Sequence, residues 1–290
     1  MEQILKYIDG IANPTTIISF WLSISIFVVT IAWRKIDKKK AKEEKKELID
    51  EIKKVLQPQN ASKELKEKTR PIAETIINPK TSEDWIIKAW AAQIDESYEK
   101  AVDYYSRAIE YNKPPSLLLI AYNNMGNIYG YKQNYDKAIE YYDKAIEYYN
   151  TEFDVAILAS LYFNKGVMYR KKNENDKAIQ NYKKAIETDP KDIQLYIVLG
   201  NFYDIIGNFS CALKYYQRAL LINPKEAIVY YELAIAYLSQ LSKKFKNNTE
   251  QADLEMIEMH DIAMGYMQKA AELGDATALQ FIEKLSKYKL

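Results

Sequence analysis

Few residues of this chain have the type and spacing to do covalent chemistry. His260 is the only histidine and Cys211 the only cysteine. Glu255, Glu258 and Asp261 lie close to His260 in sequence, and an imidazole among carboxylates is the start of a metal or acid–base site. A single imidazole with carboxylates on a charged helical stretch is, however, ordinary solvated surface. Cys211 lies in NFSCALKYY, where a thiol packs as a small apolar residue. One cysteine allows no intrachain disulfide and no thiolate cluster. The chain contains no phosphate loop, G-x-S-x-G elbow, HExxH or dinucleotide fingerprint. No catalysis, metal or cofactor is therefore expected of it.

Composition narrows the remaining classes. Lys and Arg number 41 against 40 Asp and Glu, a net charge of +1, so no overall field argues for nucleic acid. Tyrosine is the outlier, at 25 of 290 residues. Average usage is roughly a third of that density, so a recurring structural position must be asking for Tyr.

The elements that would position these side chains begin with a long apolar run. Thr16 to Trp33 reads TIISFWLSISIFVVTIAW, without a charge. At 1.5 Å per residue it covers roughly 27 Å as a helix, enough for a transmembrane span with Ile11, Ala12 and Thr15 extending it. Its polar residues, Ser19, Ser23, Ser25 and Thr30, are scattered rather than gathered on one face. Glu2, Lys6 and Asp9 precede it and Ile31-Ala32-Trp33-Arg34 ends it. A cleavable leader expects a basic start and a small-x-small cleavage site, so this segment is expected to stay as an anchor. Lys6 alone precedes the run, whereas Arg34, Lys35, Lys38, Lys39, Lys40, Lys42, Lys45 and Lys46 follow it. The excess of Lys and Arg after the span predicts an N-terminus outside and a cytoplasmic C-terminal side.

Residues 34–81 read as a charged helical stalk and linker. Leu48, Ile49, Ile52, Val55 and Leu56 form an apolar stripe of about two heptads, too short for a coiled coil and suited to a helix packing on its neighbours. Residues 57–81, with Pro58, Pro71 and Pro79, read as a loose linker with one helical turn near 72–77.

Beyond residue 81 the chain is similar to itself. Aligning Gly126, Gly166, Gly200 and Ala234 brings Tyr129, Tyr169, Tyr203 and Tyr237 into one column. Ala138, Ala178 and Ala212 form a second, Tyr142, Tyr182 and Tyr216 a third, and Ala145, Ala185 and Ala219 a fourth. Tyr122, Tyr162, Tyr196 and Tyr230 open these units, and Pro190 and Pro224 close two of them. This pattern resembles the tetratricopeptide repeat, W/Y-x2-L-G-x2-Y followed by A-x3-F/Y-x2-A and P. The stretch MQKAAELGDATALQFIEKL is also similar to the Sel1 repeat. The small residues would sit where two helices cross closely, and the tyrosines beside them would fill the space. The repeats are expected at 82–115, 119–152, 159–192, 193–226 and 227–276, with a capping helix at 277–290. Residues inserted in the fifth repeat are expected to lengthen its two helices, with the turn near Lys246 to Thr249.

The resemblance implies an all-α superhelix, preceded here by the anchor at 16–33 and the tail at 1–15. It also implies a concave face lined by the first helix of each pair. Its lining positions are Trp90, Asn123, Asn127, Phe163, Arg170, Ile197, Asn201, Asp204 and Tyr231. Asparagine amides there would pair with the backbone of an extended peptide. A clamp for chaperone C-terminal carboxylates is not expected. Asn127 and Asn164 occupy its asparagine places, but Asn123, Gln194 and Val198 stand where cations belong. The expected function is a membrane-anchored scaffold for a protein or peptide partner on the cytoplasmic side. The alternative is a non-catalytic regulatory or assembly subunit acting through anchor and stalk.

Overall fold

The computed structural model describes residues 37–111, 114–150, 153–247 and 254–287. The apolar run at 16–33 and the tail before it lie outside them, as do Asn248 and Thr249 of the expected fifth-repeat turn. Among the described residues no helix is long and apolar enough to cross a membrane, and there are no strands. The chain divides into two compact units, Met1–Ala121 and Tyr122–Leu290.

The first unit contains helix α1, residues 37–55. Leu48, Ile49 and Ile52 are buried. The stripe is therefore consumed within the chain rather than left for a zipper. Lys45 pairs with Asp84 at 2.7 Å and Lys68 with Glu51 at 2.6 Å, tying α1 to the elements that follow. Leu56 then turns the chain with φ +63, a left-handed conformation unusual for a bulky side chain, and is itself buried.

Residues 57–81 depart from the expected linker. They contain a 3-10 turn, Pro58–Asn60, and a full helix α2, Lys63–Thr75, with Pro71 inside it. Ser62 caps α2 by accepting from Leu65 N at 3.1 Å. Proline removes one intrahelical donor and crowds the preceding turn, which is why a sequence reading breaks the helix there. Burial overrides it: Leu65, Thr69, Ala73 and Ile76 recur every three or four residues and are all covered. Lys88 donates to Ile76 O at 2.9 Å, satisfying a carbonyl past the helix end. The antiparallel pair α3 (Ser82–Ile94) and α4 (Tyr98–Glu110) follows, with Ala89 and Ala101 buried at their crossing.

Helix α5, Pro115–Tyr131, begins in the first unit and continues into the second. The second unit then runs α6 (Tyr135–Glu147), α7 (Val155–Lys171), α8 (Asn175–Thr188), α9 (Ile193–Ile205), α10 (Phe209–Ile222), α11 (Ala227–Asn247), α12 (Leu254–Glu272) and α13 (Ala276–Lys287). Asn134, Asp154, Asp192, Asn208 and Asp275 cap five of these helices by accepting from backbone amides. Each of α7, α9 and α11 packs on the helix before it, and α9 also touches α11. Both helices of the last pair are long, 21 and 19 residues, and α13 packs on α12 through Ala278.

Glycine decides how closely the pairs cross. A Cβ on Gly126 would come within 2.8 Å of the Tyr142 ring, on Gly166 within 2.8 Å of Tyr182, and on Gly200 within 2.6 Å of Tyr216. These separations are shorter than van der Waals contact, so the ring occupies the space a methyl would need. A second periodicity was not legible in the sequence. The turns inside the first four pairs each hold a residue with positive φ: Glu96, Gln133, Asn173 and Gly207. Only one of the four is glycine.

Candidate functional site

The inner helices carry the nine residues singled out from the sequence, and the structure sorts them by depth. In the first unit, Trp90 of α3 is fully buried. In the second unit, Asn123, Asn127 and Ile197 are buried, while Phe163, Arg170, Asn201, Asp204 and Tyr231 are half-buried. A partner would reach Trp90, Asn123 or Ile197 only if neighbouring side chains moved. The half-buried group, on α7, α9 and α11, is the accessible part of the face.

Behind these residues stands a row the sequence reading assigned to packing alone. The ring of each column tyrosine of the second unit lies against its glycine, and two of the hydroxyls reach the inner helix. Tyr142 donates to Asn127 Oδ1 at 2.7 Å, and Tyr216 donates to Asn201 Oδ1. In the first unit Tyr105 donates to Gln93 Oε1 at 2.9 Å. Each bond fixes an amide by its oxygen and leaves its NH2 for other work; Asn127 Nδ2 and Gln93 Nε2 are buried without a protein partner. Burial disfavours the phenolate and pushes these hydroxyls well above the ordinary tyrosine range. They are donors throughout the physiological range. The signal for this row was present: three of the four tyrosines stand across from an amide, at Gln93, Asn127 and Asn201.

Electrostatics differ from one end of the second unit's face to the other. Arg170 of α7 is half-buried and forms no ion pair among the described residues. On α9, Asp204 has one carboxylate oxygen buried without a partner. Its carboxyl is raised by loss of solvent, which Lys243 partly opposes. Glu232 of α11, absent from the sequence-derived set, is raised by burial and then by Asp275 and Asp204, against a hydrogen bond from Asn201. Tyr216, Asn201 and Glu232 thus form one chain of donors and acceptors.

The other sequence candidates remain apart from this face. His260 is exposed on α12 with Nδ1 3.4 Å from Asp261, and Glu255 pairs with Lys244 instead. Among the described residues no group of His, Cys, Asp and Glu is placed to hold a metal. Cys211 is half-buried against the α9–α10 core. Lys38, Lys39, Lys40, Lys42 and Lys46 are exposed along α1.

Comparison with known proteins agrees with the repeat architecture. Profiles of the tetratricopeptide repeat match residues 117–191 and 193–226, and the Sel1 repeat profile matches 92–110, 220–236 and 260–275. No curated protein matches the chain. A crystal structure of MamA protein is 20% identical over 72% of this chain and 96% of its own, with a TM-score of 0.50. MamA from Desulfovibrio magneticus RS-1 is 18% identical over 67% of this chain and 96% of its own, with a TM-score of 0.49. YrrB, described as a TPR protein with an unusual peptide-binding site, is 20% identical over 75% of this chain and 100% of its own, with a TM-score of 0.48. At such identities the likeness is one of fold.

Proposed function

We propose that this repeat protein is a non-catalytic scaffold whose second unit binds an extended segment of another protein along α7, α9 and α11. The observation that carries the reading is hydrogen-bonding capacity left unused on successive helix pairs. Asn127 Nδ2, the Tyr182 hydroxyl and Asp204 Oδ1 are all buried without a protein partner. Such groups cost stability in the free chain and recover it when a ligand supplies the missing half of the bond. A peptide backbone lying on the half-buried residues of α7, α9 and α11 offers an N–H to Asp204, and offers a C=O to the enclosed Asn127 and Tyr182 behind them only where the covering side chains move.

The apolar run at 16–33 would hold this scaffold at a membrane, with the lysines after it keeping the repeats on the cytoplasmic side. Resistance to alkaline extraction and protease accessibility of the repeats in closed vesicles test that part. The binding face is tested by placing a photo-crosslinking residue at Asn201 of the full chain, with the exposed Gln180 of α8 as the outer-face control. A defined adduct at Asn201 alone, diminished by Asn127→Ala, supports the reading. Equal labelling at both positions would move the interaction elsewhere.

A further inference from the structure

The lysines of α1 are not equivalent. Lys39 and Lys40 each lie 3.9 Å from a carboxylate one turn on, Glu43 and Glu44. Lys45 holds Asp84 at 2.7 Å and Lys53 lies 3.6 Å from Asp50. Lys38, Lys42 and Lys46 form no ion pair among the described residues. These three stand four residues apart, so they share one face of the helix, where like charges repel. They also line a cleft of about 980 Å3, together with Thr81, Glu83 and Asp84 around the start of α3. Glu83 is the one carboxylate of that lining without an ion pair among the described residues. Every residue from Asp37 to Glu44 is exposed, and the first buried one is Leu48. Solvated surface is the ordinary fate of a charged helix, but here the free cations are sorted onto one face. That face also begins close to the apolar run: Lys38 is five residues beyond Trp33, a reach of roughly 17 Å at most.

We propose that the face of α1 carrying Lys38, Lys42 and Lys46 binds the phosphate headgroups of an anionic membrane lipid, so that the start of this helix lies along the bilayer surface. This rests on the membrane reading of residues 16–33 above and names the lipid class that the adjoining helix selects. Anionic phosphates relieve the repulsion among three lysines one turn apart, and each lysine near such a surface contributes about fivefold in affinity. A zwitterionic headgroup carries its own cation beside the phosphate and offers no net charge to draw them. Glu43 and Glu44 are held by Lys39 and Lys40 and do not oppose the contact as bare charges. The leaflet facing the cytoplasm, the side proposed for the repeats, is the anionic one. Setting the topology of a span needs only the number of nearby lysines, whereas binding headgroups uses the face they share.

The full chain is reconstituted with phosphatidylcholine vesicles, with or without phosphatidylglycerol, and recovered by flotation. Brief acetylation by a neutral, membrane-permeant amine reagent, read by peptide mass spectrometry, then tests the contact. Lys38, Lys42 and Lys46 should react about fivefold more slowly in the anionic vesicles, and high salt should remove the difference. Lys39, Lys40 and the exposed Lys54 and Lys191 should change little. Lys42→Gln, at an exposed position, should reduce the protection of Lys38 and Lys46 with helicity unchanged. Equal rates in the two kinds of vesicle, protection indifferent to that variant, or slowing shared equally by Lys39, Lys40 and Lys54 overturns the lipid-binding face and leaves the membrane reading standing. A chain that floats with neither kind of vesicle overturns both.

Discussion

A phenol buried with its hydroxyl bonded differs from one buried without a partner, and the four column tyrosines offer that comparison within one fold. Tyr142→Phe removes a bond to Asn127 and leaves that buried amide unsatisfied, so unfolding free energy should fall by about 1–2 kcal/mol. Tyr182→Phe removes only an unpartnered oxygen and should leave stability unchanged or slightly raised. Chemical denaturation of the two variants side by side is the check; equal losses would mean that Tyr182 has a partner after all. Titration adds a second residue-scale expectation. Glu232 and Asp204 sit above the ordinary values of 4.5 and 3.8 because burial penalises their charged forms. The folded state therefore holds these protons longer than the unfolded chain. Their contribution is full below the ordinary carboxylate values and is lost as pH rises through the raised folded values. Glu232→Gln should flatten that slope and stabilise the protein at neutral pH, with little difference from the parent below about pH 4. Thermal midpoints across pH would show the curves diverging as pH rises; divergence in the opposite direction would contradict the assignment.

At the scale of elements, the all-α repeat class was legible because its determinants are local and periodic. Gly126, Gly166 and Gly200 announce close crossings, and alanines at Ala138, Ala178 and Ala212 announce the helices that cross them. The helix α2 was not legible, since Pro71 is a strong local signal and the burial of Leu65 and Ala73 that outweighs it depends on distant residues. The depth of the candidate site was legible only in part. Sequence placed Asn201 and Asp204 on an inner face, but could not show that Trp90 and Ile197 are covered or that Glu232 joins Asn201. Those facts arise from contacts between pairs, which column patterns do not encode. The turns were illegible for a different reason: Glu96 and Gln133 are not residues that favour positive φ. Left-handed backbone is costly for them, so Glu96→Gly and Gln133→Gly should each raise stability by about 0.5–1 kcal/mol, less the extra entropy glycine gives the unfolded chain. Gly207 already occupies the equivalent turn, so Gly207→Ala should go the other way. Denaturant midpoints of the three variants test the sign at each turn.

At the scale of the whole molecule, α1 determines whether the segment following residues 16–33 is an independent stalk or part of a folded body. Leu48 and Ile52 are fully buried inside the first unit. Ile52→Ala should cost about 2–5 kcal/mol and destabilise that unit without changing the oligomeric state, since the stripe has no face left for a second chain. Denaturation with scattering detection separates the two outcomes; loss of a dimer would instead place the stripe at an interface. Neighbour-only packing also predicts that the second unit, which has its own cores around α9–α10 and α11–α13, keeps its folding signal in that variant.

The tyrosine row has a consequence for how such a chain acquires new ligands. The ring and its glycine are the constant hardware of three successive pairs, while the residue just after the glycine is a free setting: asparagine in two repeats and valine in a third. Changing that setting alters whether a donor is retired or left over, without touching the crossing that holds the pair together. A single substitution at that setting exchanges one buried hydrogen bond, about 1 kcal/mol of stability, and leaves the contact of ring and glycine in place.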